Sequence, residues 1–348
     1  MNYKLYHMSH TDLDGYGCQM VTKEYFKDIN FYNSNYGKEI NERFNEILSD
    51  IQKDDIEKSI ILITDLNLTP EQAKDFESKT KVSQKEIFLL LLDHHKTGEE
   101  CYKEFDWYFL DTNRCATKIT YDFFSDIFYK NEKLSKFVDV VNAVDIWLED
   151  KEEFELGKVC LGLVSGAKEI NRIMFPKENS EYMFKLLEKI QDYFDYENPH
   201  IVLDENIHKI KKEILKDKED DTLSNLISKY NVKMLTKNRD KMSIDYNGSK
   251  GILTYNIGNV SVIGNDFLKN NPDYDFFMDI TSRKTISLRA NGKIDVSQMA
   301  SKVANGGGHP NASGGLLNAF KDGFVYENIK NQILTILNKN SGVQNGKQ

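Results

Sequence analysis

The sequence predicts an α/β protein with an N-terminal doubly wound parallel sheet, a helical connector and a smaller C-terminal α/β domain. Three observations carry this. Segments 59–64 and 87–92 are short, almost unbroken apolar runs, as expected of strands buried on both faces of a parallel sheet. Around them lie stretches with apolar residues at helical spacing, so strand and helix alternate. Beyond position 230 the pattern changes to short strands divided by turn residues.

Taken in order, a first, aromatic-rich strand at 3–8 runs into Ser9-His10-Thr11-Asp12-Leu13-Asp14-Gly15, and a helical pattern follows over 17–26. A weak second strand is read at 31–33, then Ile40, Phe44, Ile47, Leu48 and Ile51 fall on one helix face. The strand at 59–64 ends at Asp65, and Thr69-Pro70-Glu71 has the cap and first-turn proline of a helix start. The strand at 87–92 ends in Asp93-His94-His95. Helices are predicted over 116–128, 134–148, 182–194 and 201–226, with a less regular stretch near 159–163. The charged run at 216–221 is read as the exposed face of the last of these. Strands are then expected at 232–235, 242–246, 251–255, 276–280 and 285–289, followed by a helix at 296–303, a glycine-rich loop at 305–315 and a closing helix at 325–337. The expected division is a catalytic domain at 1–200, a helical linker at 201–229, a substrate-binding domain at 230–340 and a disordered tail at 341–348.

A length of 348 residues suits two domains. The net charge of −9 argues against tight binding of long nucleic acid, which depends on dense Lys and Arg contacts to phosphates. It leaves room for short nucleotides, whose charge a metal site can carry. Cys18, Cys101, Cys115 and Cys160 are scattered, without the spacing of a zinc site or a disulfide framework. No basic-then-apolar leader and no membrane-length apolar run are read, so a soluble, cytoplasmic protein is expected.

The candidate chemistry lies where the strands end, because ligands in open α/β sheets bind beyond the carboxyl ends of the strands. One strand offers His10, Asp12 and Asp14, another Asp65, a third Asp93, His94 and His95. Residues two apart on an extended segment point the same way, so the first three are expected to reach one cavity. So many carboxylates and imidazoles together call for cations. Mixed imidazole and carboxylate donors suit Mn²⁺ and related ions, and two such ions can activate water and clamp a phosphoryl group.

These motifs, with Asp145 and the later Gly306-Gly307-Gly308-His309-Pro310-Asn311-Ala312-Ser313-Gly314, resemble the DHH phosphoesterase superfamily with its DHH-associated C-terminal domain. The resemblance is nearest to the oligoribonuclease (nanoRNase) and cyclic-nucleotide phosphodiesterase branch. It implies one Mn²⁺ on His10, Asp12 and Asp65, and a second on Asp14, Asp65, His94 and Asp145, with Mg²⁺ or Co²⁺ as substitutes. It implies that His95 contacts the scissile phosphate and that Asp93 orients an imidazole. Arg289, Gly306, Gly307, Gly308 and His309 would grip substrate phosphate in a lid-like second domain. One departure is that a single residue, Thr11, separates His10 from Asp12, as in the single-strand DNA exonuclease branch, where an Asp replaces the histidine.

The function so implied is manganese-dependent hydrolysis of very short RNA oligonucleotides to nucleoside monophosphates. The alternatives are cleavage of a cyclic mono- or dinucleotide, removal of phosphate from 3′-phosphoadenosine 5′-phosphate, and, in a different class, a catalytically silent nucleotide sensor. The expected partners are small nucleotides or short RNA, with no long nucleic acid and no membrane, and a homodimer is compatible with the chain.

Overall fold

The computed structural model describes residues 3–340, so the tail read at 341–348 lies outside them. The described chain divides into two compact units, one made of residues 3–167 and 180–210, the other of 168–179 and 211–340.

The first unit carries β1 (Lys4–Ser9), α1 (Leu13–Tyr25), β2 (Ile29–Asn33), α2 (Lys38–Lys53), β3 (Lys58–Thr64), α3 (Pro70–Lys81), β4 (Glu86–Asp93), α4 (Glu99–Glu104) and β5 (Tyr108–Leu110). The five strands are all parallel in the order β2-β1-β3-β4-β5. The helix-spaced residues Ile40, Phe44, Ile47 and Ile51 are buried against β1 and β3, and the Phe44 ring stacks on Phe76 of α3 at 3.6 Å. The start of α3 is closed by a capping box between Thr69 and Gln72. Register positions the chemistry. Ser9 pairs with Thr64 and Thr64 with Leu92, so His10, Asp65 and Asp93 emerge at one level beyond the sheet.

Helices α5 (Ala116–Ile127), α6 (Glu132–Asp145), α7 (Phe154–Ser165), α8 (Pro176–Ile190) and α9 (Pro199–Leu215) follow. The second unit holds α10 (Leu223–Met242), β6 (Ser243–Tyr246), β7 (Ser249–Tyr255), α11 (Val260–Asn270), β8 (Phe276–Ile280), β9 (Thr285–Ala290), α12 (Val296–Ala304), β10 (Gly307–His309), β11 (Ala312–Leu316) and α13 (Tyr326–Asn340). Its sheet is mixed, with the order β10-β11-β9-β8-β7-β6, and only β7 and β8 are parallel. Among the described residues no helix is long and apolar enough to cross a membrane.

Four sequence expectations change. β4 is deeply buried only at Leu91, Leu92 and Asp93, while Phe88 is 45% exposed, so its apolar run is not covered on both faces throughout. The helix expected over 201–226 is two helices, and the charged run 216–221 lies between them rather than on a helical face. The strand expected at 232–235 lies inside α10, where Thr222 caps a 20-residue helix whose Val232 and Leu235 face inward. The glycine-rich loop at 305–315 contains the hairpin β10–β11, which extends the sheet from β9.

Candidate metal centre

The site is assembled from short strand-to-helix turns. β1 ends at Ser9 and α1 begins at Leu13, with Asp12 as its N-cap accepting the Gly15 amide through Oδ1 at 2.9 Å. His10, Asp12 and Asp14 therefore do not lie on one extended segment as expected. Asp12 caps a helix, and Asp14 sits in the first turn. Gly15 is needed for this fold of the chain, since a Cβ there would lie 2.3 Å from the His10 carbonyl oxygen.

Two groups of donors form around Asp65. In the first, His10 Nδ1 lies 2.7 Å from Asp12 Oδ2 and 3.6 Å from Asp65 Oδ2. In the second, His94 Nε2 lies 3.4 Å from Asp65 Oδ1, 3.5 Å from Asp145 Oδ2 and 3.7 Å from Asp14 Oδ2. Asp65 faces both with different oxygens. Its backbone is left-handed, with φ of 55°, a conformation that Asp tolerates better than most residues. Asp14 is fixed from behind, its two oxygens accepting the amides of Ala116 and Thr117 at 2.8 and 2.7 Å. Those are the first amides of α5, a favourable place for a carboxylate. Cys115, the N-cap of α5, brings a thiol within 4.8 Å of Asp14 and Asp145 oxygens.

The electrostatics call for cations. Asp65 is fully buried, and its Oδ2 and that of Asp145 are buried without a hydrogen-bond partner. Burial, and next the charges of Asp14 and Asp12, push the Asp65 carboxyl well above its usual range. Burial and Asp14 push Asp145 up to about 8. Burial is the largest influence on Asp12 and His10 too and opposes their charge. The hydrogen bond and attraction between them, joined by Asp65 and by the Gly15 amide on Asp12, together outweigh it, holding Asp12 at about 2 and raising His10 to about 9. Oxygen and imidazole donors, two of them buried oxygens with nothing to bind, fit divalent ions of the Mn²⁺ class.

Asp93 is placed differently. Its Oδ1 lies 2.7 Å from His95 Nδ1, and its Oδ2 accepts the Tyr108 hydroxyl at 2.9 Å. His95 Nε2 in turn meets the Tyr36 hydroxyl at 3.0 Å, and the Tyr36 ring leans on His10 at 4.8 Å between centroids. Tyr36 and Tyr108 escaped the sequence reading. Tyr36 follows β2 at the carboxyl end of the sheet, and that position is the one signal that could have nominated it.

Arg289, Gly306, Gly307, Gly308 and His309 come together in the other unit. Arg289 pairs with Ala312 and Ala312 with His309, so the three form one row across β9, β11 and β10. Directly paired residues share a face, which sets the arginine and histidine about 10 Å apart with a methyl group between. Arg289 donates to Ser261 Oγ at 2.8 Å and to the Leu288 carbonyl at 2.7 Å. Gly306 packs where a Cβ would lie 2.0 Å from the Gly314 carbonyl oxygen, while the corresponding position at Gly307 is open.

No family model matches the chain. A 3′,5′-cyclic-nucleotide phosphodiesterase of Helicobacter pylori is 43% identical over 344 residues, covering 96% of this chain and 99% of that protein. Oligoribonuclease NrnB of Bacillus subtilis is 27% identical over 326 residues, covering 89% and 72%. The crystal structure of an uncharacterized protein from Helicobacter pylori superposes with a TM-score of 0.92 at 42% identity, covering 97% of this chain and all of that one. Nearly full-length identity of this order, on a chain whose parallel strands end in His10, Asp65 and Asp93-His94-His95, shows that it belongs to the DHH phosphoesterase superfamily.

Proposed function

We propose that this phosphoesterase is a divalent-metal-dependent enzyme that hydrolyses the 3′–5′ phosphodiester of a small nucleotide, a 3′,5′-cyclic mononucleotide first. The observation that carries the metal-dependent part is the pair of donor groups meeting at Asp65, with buried oxygens on Asp65 and Asp145 that have no partner. The substrate class rests on the 43% identity to a cyclic-nucleotide phosphodiesterase. Short RNA, the substrate the motifs suggested, is the second reading, and the likeness to an oligoribonuclease supports it. Both substrates present the same diester.

In this reading His10, Asp12 and Asp65 hold one ion, and Asp14, Asp65, His94 and Asp145 hold another. Two cations there would supply Lewis acidity, lowering the pKa of water and drawing charge from the phosphoryl oxygens. The protein residues supply the rest. Asp93 accepts a hydrogen bond from His95 Nδ1 and fixes the ring, which aims Nε2 at a phosphoryl oxygen of the substrate. Tyr36 holds Nε2 until that oxygen takes its place. Tyr108 holds Asp93.

The test is turnover of cyclic AMP, cyclic GMP, an RNA dinucleotide, cyclic di-AMP and 3′-phosphoadenosine 5′-phosphate with Mn²⁺, Mg²⁺ or Co²⁺, for wild type and His94→Ala. Turnover of a cyclic mononucleotide, lost in the variant, is expected. Turnover of the dinucleotide alone would favour the second reading. Metal-loaded wild type that is silent on every substrate would sink both.

A further inference from the structure

The C-terminus of α6 combines a metal-site carboxylate with an exposed indole. Asp145 is the last residue of the helix, and the chain then leaves through a Schellman turn, in which Leu148 N–H bonds the Ala143 carbonyl at 2.7 Å and Trp147 N–H bonds the Val144 carbonyl at 3.4 Å. The turn puts Trp147 in the left-handed region, with φ of 58°. Glycine or asparagine suits that position, and a bulky side chain there is strained. Of the seven described non-glycine residues with positive φ, four are Asn and one is Asp, so Trp147 is out of type. Backbone strain of this kind tends to gather at functional sites.

The ring is held, yet little of it is used for packing. Its Nε1 donates to Glu149 Oε1 at 2.6 Å, and it meets Phe154 edge-on at 5.1 Å between centroids. Those two contacts fix the plane, while 58% of the residue stays exposed. A core anchor would be covered, and a free surface indole would not be fixed at two points. Two trans peptides limit the Cα separation of Asp145 and Trp147 to about 7.6 Å. The indole is thus carried on the same helix-terminal turn as Asp145, whose Oδ2 lies 3.5 Å from His94. Tyr36, also exposed beside the cluster, has its hydroxyl engaged by His95.

We infer that Trp147 is the stacking platform for the nucleobase of the substrate. The inference rests on the nucleotide reading above and adds a subsite to it. Base-on-indole stacking tolerates any base, so this subsite selects nucleotides over other phosphodiesters without choosing among bases. A fixed ring also binds with little loss of side-chain freedom.

The chain has two tryptophans, so Trp107→Phe leaves Trp147 as the sole indole reporter. Adenosine 5′-monophosphate should quench its fluorescence saturably, and ribose 5-phosphate should not. Trp147→Asn suits the left-handed turn and removes only the ring. It should raise KM for the nucleotide about tenfold with kcat little changed, and Trp147→Phe should recover most of the loss. Calorimetric binding of adenosine monophosphate without quenching, or a wild-type KM in Trp147→Asn, would overturn the inference. A wild type that hydrolyses no nucleotide but shows base-dependent quenching would overturn the proposed activity and leave the stacking subsite standing.

Discussion

The two units treat charge in opposite ways. At the strand ends of the first, buried carboxylates face one another with oxygens that no hydrogen bond satisfies. At the edge of the second, Arg289 is already bonded to Ser261 and to the Leu288 carbonyl, and His309 stands in the open. The first arrangement is costly until cations arrive, and the parallel register holds it in place regardless. The second costs little as it stands and gives little rigidity. We propose a division of labour in which the first unit supplies reactivity and the second supplies affinity.

The sharpest break in that comparison is at Asp65. Asp65→Asn should lower activity by about a thousandfold or more and abolish the stabilisation by Mn²⁺ that wild type should show in thermal unfolding. Ligand-linked stabilisation of wild type should reach about 2.7 kcal/mol at a metal concentration one hundred times Kd. Without metal the same variant should melt above wild type, because it removes a carboxyl whose ionisation is opposed by burial, Asp14 and Asp12. A metal-free variant that melts lower would mean that the cluster is satisfied by itself.

Asp93→Asn comes next. The carboxylate touches His95 and Tyr108, outside both donor groups, so the variant should lose about 10- to 100-fold in kcat while its metal-dependent melting shift stays. Loss of metal binding would make Asp93 a ligand rather than a positioning group. Arg289→Ala should act on the other side of the division, raising KM about tenfold with kcat and metal binding retained. A fall in kcat equal to the rise in KM would break the separation of affinity from reactivity.

What the sequence disclosed follows the same divide. The parallel sheet was legible because β3 and β4 each end an apolar run in a polar residue, and the strand-end rule then located Asp65 and Asp93-His94-His95. The turn after β1 was legible in content and not in form, since only the structure shows Asp12 capping α1 and Asp14 held by α5. In the second unit local signals were overruled. Glycines disfavour strands, yet pairing with β9 draws Ala312–Leu316 into the sheet. A strand is expected at 232–235, yet Lys233, Met234 and Leu235 are good helix formers and, with the cap at Thr222 and one face buried, they continue α10. The helix α11 passed unread although Asn259, a favoured capping residue, stands at its start; the Asn259 side chain makes no capping hydrogen bond. Tyr36 and Trp147 carry no motif at all, and only their positions beside the cluster give them meaning.

The last effect is read in the pH dependence of stability and sets two buried groups against each other. His7 lies inside the first unit, its Nε2 2.8 Å from Thr64 Oγ1, and burial lowers it to about 3. Asp279 lies inside the second, accepting the Thr254 hydroxyl at 2.7 Å, and burial raises it to about 6. Below about pH 6.5 the unfolded chain protonates His7 and the folded chain does not, so its contribution to stability is lost as pH falls from there towards 3. Between about 3.8 and 6 the folded chain holds a proton on Asp279 that the unfolded chain releases, so stability falls as pH rises through that window. Each slope approaches about 1.4 kcal/mol per pH unit. In urea unfolding from pH 7 to 4 with metal chelated, His7→Gln should gain on wild type as the solution becomes acid, and Asp279→Asn should lose ground. Parallel profiles for all three proteins would show that neither group keeps its buried protonation state, and that the polar contacts beneath β1 and β8 are open to water.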